Sequence, residues 1–158
     1  MTDGLRVTIA GLDFYGQGSD GFIISPDGFS GWDDGVDMRL EKTARPYAHG
    51  SFNLPVFQDS RTVSVSGNVF ADSSRELLQL GNRLTGLLAG GGIGRVQVER
   101  FGDVQWADGR LAAKTMFTER GGQNSASFQI QLWCPDPRKF GNSADFVRTN
   151  GTVSVYHR

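Results

Sequence analysis

Along most of this chain apolar and polar residues alternate with a period of two, which sends successive side chains to opposite faces of a sheet. The pattern is cleanest in Arg61–Phe70, where Val63, Val65 and Val69 alternate with Thr62, Ser64 and Ser66. It recurs in Ser125–Cys134, where Phe128, Ile130 and Leu132 alternate with Gln129 and Gln131. Pro135 and Pro137 then stop the ladder, because neither has an N–H to donate. Leu5–Phe14 predicts a first strand with Leu5, Val7 and Ile9 on one face, and Phe22–Ser25 a short second one. Val36–Thr43 predicts another, with Val36, Met38 and Leu40 inward. Arg95–Phe101, Val104–Ala107 and Arg110–Glu119 read as a meander, turned at Gly102-Asp103 and at Asp108-Gly109, the latter a strong hairpin signal. Gly151–Tyr156 alternates once more, near the last residue and with no partner after it.

Two stretches break the period. Leu77, Leu80, Leu84, Leu87 and Leu88 share one helical face, opposite Arg75, Gln79 and Arg83, predicting a helix over Ser74–Leu88. Ser73 and Glu76 form a capping-box pattern at its start, and Gly90-Gly91-Gly92 ends it. Ala44–Ser60 has no period at all and holds Pro46 and Pro55. Loops of that length are uncommon in compact domains and are usually functional. This one also carries Tyr47, Phe52, Leu54 and Phe57, too many apolar groups for a solvated linker, so it is expected to lie against its own barrel or a neighbouring subunit.

The 158 residues make one domain of ordinary size, and 22 glycines, about twice typical usage, favour a turn-rich mainly β or α+β fold. A net charge of −1 supplies no basic field to attract nucleic acid. The single cysteine, Cys134, rules out an internal disulfide framework and points to a reducing site of folding. Nothing at the start reads as a signal peptide, and no run reaches the length of a membrane span, so synthesis in the cytoplasm is expected.

Signatures of chemistry are weak. Gly16-x-Gly18-x-x-Gly21 matches a dinucleotide fingerprint by letters, but Phe22-Ile23-Ile24-Ser25-Pro26 follows instead of a helix, so it reads as a turn. Asp33, Asp34 and Asp37 lack the spacing of a calcium loop, and His49 and His157 are too far apart to ligate zinc with one cysteine. Cys134, between Trp133 and Pro135, looks like a small buried hydrophobe, and no nucleophile elbow is present. Trp32, Trp106 and Trp133 suit packing better than sugar stacking. No catalytic, cofactor or metal site is assigned.

The order of these pieces resembles the N-terminal domain of the phage distal tail protein family. Four stretches carry the likeness: Arg45-Pro46-Tyr47-Ala48-His49-Gly50; the strand from Arg61 to Gly67 with its Leu-rich helix after it; Trp106-Ala107-Asp108-Gly109 at a hairpin position; and the closing run from Phe128 through Pro135-Asp136-Pro137-Arg138 to Phe140. The resemblance covers residues 5–141 and implies a split, tail-tube-like β-barrel or sandwich with one covering helix. It implies a non-enzymatic virion protein, a minor tail or baseplate component assembling as a hexameric ring. That ring would join the tail tube to the tail tip around a DNA channel, with tail-tube, tape-measure and tail-tip proteins as partners and no cofactor. Residues 1–141 would form the ring domain, and 142–158 the start of a strand or connector to a second domain. Arg45, Tyr47, His49, Phe52 and Phe57 are the candidate subunit-interface residues. Competing readings are a tail-tube subunit, a carbohydrate- or receptor-binding β-sandwich, and a hydrolase using two carboxylates.

Overall fold

A computed structural model describes residues 4–40, 56–121, 124–141, 148–149 and 152–153. Its main element is a sheet that closes on itself. In chain order the strands are β1 (Leu5–Ile9), β2 (Leu12–Tyr15), β3 (Gly21–Ser30), β4 (Met38–Leu40), β5 (Val56–Gln58) and β6 (Arg61–Phe70). After helix α1 (Ser74–Gly86) come β7 (Gly94–Arg100), β8 (Asp103–Leu111), β9 (Met116–Arg120), β10 (Ser125–Cys134) and β11 (Phe140–Gly141). Two short strands, β12 (Arg148–Thr149) and β13 (Thr152–Val153), pair with each other.

The order β8-β7-β1-β2-β3-β6-β10 returns to β8 through a β8–β10 pairing and makes a closed seven-stranded barrel. Closure removes the free edges that an open sheet would expose. Alternation fills the barrel: Val63, Val65, Val69, Ile130 and Leu132 point inward and are fully buried. Phe14, Phe22 and Phe128 meet at its centre with ring centroids 5.2–5.5 Å apart. Helix α1 covers the end where β6 finishes. Ser73 caps it by accepting the Glu76 N–H at 3.1 Å, and Leu77 and Leu84 enter the core.

The mainly β class with one covering helix holds, as do the strands at 61–70 and 125–134. Several boundaries differ. The first strand is a hairpin, because Ala10 (φ 49°) and Gly11 (φ 90°) turn the chain. The second strand runs on through Pro26-Asp27-Gly28, whose extra residues are absorbed as an irregularity against β6 between Ile24 and Phe29. Asp108-Gly109 is no turn at all. Both residues lie inside β8, Asp108 opposite Arg95 and Gly109 opposite Gly94. The missing side chain at Gly109 serves the barrel seam, where a Cβ would sit 2.9 Å from Cys134 Sγ and from the Trp133 carbonyl. Leu88, at φ 56°, makes the left-handed exit from the helix ahead of the glycines. Met38 is not inward but 53% exposed: among the described residues β4 pairs only with β5, in a ribbon outside the barrel sheet. Gly151–Tyr156 contributes β13, whose partner β12 precedes it.

Candidate subunit interface

Alternation places Arg61, the first residue of β6, on the inward face at one mouth of the barrel, where it is 2% exposed. A buried guanidinium needs acceptors, and here carbonyls supply them. Nη1 donates to the carbonyls of Gly31 (2.9 Å), Trp32 (2.9 Å) and Asp34 (2.7 Å), and Nε donates to that of Pro137 (3.1 Å). Nη1 has only two hydrogens for three acceptors, so these bonds are shared, while the buried Nη2 has no partner among the described residues. The arginine that opens β6 thus joins the loop after β3 to the Pro-Asp-Pro stop after β10.

Neighbouring groups tighten the same knot. Lys139 Nζ donates to the Trp32 carbonyl at 3.0 Å and lies 5.6 Å from the ring centroid of the fully buried Trp32. Arg100 closes two bonds of 3.1 and 2.7 Å on Asp33. Burial draws the Lys139 and Arg61 pKa values down, in Lys139 with help from the Arg61 charge. The Arg100 hydrogen bonds hold Asp33 below the usual carboxylate value. Burial pushes the Cys134 thiol up to about 11, so it carries no nucleophilic thiolate at neutral pH. Asp33 is therefore an ion-pair partner, and its two neighbours in the candidate cation loop do not join it. Three other carboxylates, Asp20, Asp72 and Glu76, come within 4.8 Å of one another across the start of α1. There Glu76 is occupied in accepting the Asp72 N–H at 2.7 Å.

What the knot holds is the root of the β4–β5 ribbon. Asp59 N–H donates to the Asp37 carbonyl at 2.7 Å, immediately before β4 and after β5. Among the described residues the ribbon has two strands and no third, an arrangement only marginally stable in water by itself. Its side chains include Met38, 53% exposed, and Phe57, 60% exposed with Arg39 5.9 Å from its ring. Met38 and Phe57 fall in adjacent cross-strand pairs and so lie on opposite faces. Of the interface residues read from the sequence, Phe57 is thus placed in the open. Arg45, Tyr47, His49 and Phe52 lie outside the described residues. The sequence reading missed Arg61, Trp32 and Lys139. A charged residue opening an otherwise alternating valine strand on the inward parity was the available signal.

Neither a protein-family model nor a curated protein sequence matches the chain. Among solved structures, the Dit protein (gp 19.1) of SPP1, a hub adsorption apparatus protein of phages infecting Gram-positive bacteria, matches with a TM-score of 0.57 and 18% identity. The match covers 87% of this chain and 52% of that one, so the chain spans about half the length of the Dit protein. The closed, mainly β barrel with its one helix is a Dit-like β fold.

Proposed function

We propose that this chain is a structural subunit of a phage tail, forming a hexameric ring that joins the tail tube to the tail tip around a DNA channel. The observation that carries the reading is the Dit-like fold, matched over 87% of the chain. The exposed β4–β5 ribbon on that barrel supports it. A ring needs a heterologous contact that closes on itself, and this projecting ribbon would supply one side of it. Arg45, Tyr47, His49, Phe52 and Phe57 would contact the neighbouring subunit, and residues 142–158 would lead to a further element.

The channel reading draws on a second surface. Thr62, Ser64, Ser66 and Asn68 on β6, with Ser127, Gln129 and Gln131 on β10, alternate with core residues and form an outward polar face whose own residues carry no formal charge, with Arg120 of β9 at its edge. Such a wall would present few of the lysines and arginines that displace a polyanion's counterions and grip its phosphates, so the polyanion would pass without being held. Tail-tube, tape-measure and tail-tip proteins would be the axial partners, in the virion and after synthesis in the host cytoplasm. No described helix is long and apolar enough to cross a membrane.

Mass photometry and negative-stain electron microscopy of the full chain over a range of concentrations test the ring. Closed particles with sixfold or threefold symmetry are expected. Long stacked tubes would favour a tail-tube subunit, and a monomer at every concentration would end the ring reading.

A further inference from the structure

Phe101 and Gly102 make the two-residue turn between β7 and β8, with Arg100 paired to Asp103 across it. Their φ values are 51° and 86°, left-handed positions that asparagine, aspartate and glycine fill best. A bulky aromatic residue there is a steric outlier. The fold does not require it, because Ala10-Gly11 makes a similarly left-handed turn between β1 and β2 with only a methyl group. Nor does the ring serve the core. Phe101 is 79% exposed, and its edge lies over Gly4. An exposed aromatic alone would mean little. An exposed aromatic in a disfavoured backbone position is different, since both conformation and solvation favour another residue, and such outliers collect at functional sites.

The surroundings indicate what meets it. Beside the ring is a recess of about 230 Å³ lined by Asp33, Val98, Arg100, Asp103 and Gln105. Arg100 is committed to Asp33, whereas Asp103 has no ion pair or side-chain hydrogen bond among the described residues. Among the lining residues Asp103 is therefore the unpaired charge, next to an aromatic face, while Lys139 and Arg61 act on Asp33 from the barrel mouth. A guanidinium or ammonium group could stack on the ring and pair with Asp103. The chain itself carries such groups. Arg110, Lys114 and Arg120, along β8, the following loop and β9, have no carboxylate partner among the described residues.

We infer that Phe101 is an anchor for a second copy of this chain. Its ring and Asp103 receive a cation from the Arg110–Lys114–Arg120 flank of that copy. The two sides of the contact are different patches, as a heterologous interface requires, and the assignment rests on the ring reading above.

The test compares full-length wild type with Phe101→Asn, Phe101→Ala, and a charge reversal of all three cations to glutamate. Assembly is followed by mass photometry and sedimentation at two salt concentrations, and thermal unfolding is recorded at dilutions where the chain is monomeric. Phe101→Asn is expected to raise the monomer Tm by about 2–4 °C, as relief of backbone strain in a chain of this size would. Assembly should weaken at least ~10-fold, the usual loss for an aromatic anchor. The charge reversal should also weaken assembly, and high salt should blunt the difference between it and wild type. A lower monomer Tm for both Phe101 variants would make the residue structural and overturn the inference. So would unchanged assembly of Phe101→Asn in a wild type that forms rings, and the ring reading would then survive. Assembly indifferent to the charge reversal would overturn the assigned docking flank. A wild type that never assembles would overturn the ring reading and the second-copy contact together.

Discussion

Arg61 shows how much one side chain can hold when its acceptors are backbone. Its four carbonyl contacts join the loop after β3 to the turn after β10. Truncation would leave those carbonyls buried without a donor, so Arg61→Ala should lower stability by about 3–5 kcal/mol in urea unfolding. Arg61→Lys should recover only part of this, because an ammonium lacks the planar fork. Cys134 gives an independent probe of the same mouth. Its thiol is fully buried and its pKa is raised to about 11, so alkylation at pH 8 should be slow in the native chain and rapid after denaturation. The linkage has a definite sign. A folded pKa above the unfolded one contributes stability that is complete below pH 9 and lost as the pH rises through about 11. Asp33 runs the other way. Its pKa is lowered by Arg100 and then opposed by partial burial, so its contribution is present above the unfolded value of 3.8 and lost as the pH falls through the folded one. Asp33→Asn should flatten the acid limb of the stability profile measured by thermal unfolding.

Among the elements, the seam and the ribbon separate stability from assembly. The β8–β10 seam rests on two residue pairs, Leu132 with Leu111 and Trp133 with Arg110, and Gly109 lets the strands approach there. Gly109→Ala would press a methyl group against the Trp133 carbonyl and Cys134 Sγ. It should cost about 1–3 kcal/mol by chemical denaturation, in the range of other overpacked sites. The β4–β5 ribbon, by contrast, lies outside the barrel sheet. Replacing residues 38–58 by a short Gly-Ser link should leave a cooperatively unfolding barrel with its far-UV spectrum largely intact. The same deletion should abolish ring formation in mass photometry if the ribbon is the subunit contact. Strand and helix identities were largely legible in the sequence, because β6, β10 and α1 each repeat one period over many residues. The turns were not. Asp108-Gly109 has hairpin chemistry yet runs straight, because Arg95 pairs with Asp108 and the seam needs the glycine.

For the whole molecule, a net charge of −1 and the uncharged face of β6 and β10 lead to one expectation for a DNA passage. Double-stranded DNA should show no saturable binding in fluorescence anisotropy at physiological salt, because too few cations are presented to release counterions. Ser66→Lys with Gln129→Lys should create measurable, salt-sensitive retention. Of the groups that build the barrel mouth and its ribbon, only some stood out beforehand. The apolar, aperiodic stretch around Phe57 stood out, whereas Arg61, Trp32 and Lys139 gave no joint signal, being separated by up to 107 residues in the chain. Local periodicity by itself determined that this protein is mainly β, which residues of its long strands face the core, and where its helix begins. Those properties follow from the geometry of a few neighbouring residues. Only the tertiary structure decided that the sheet closes through β8 and β10, that the ribbon stands outside it, and that an arginine ties its mouth together. Each depends on which distant backbones meet, and period-two alternation constrains the face a residue takes without naming its partner.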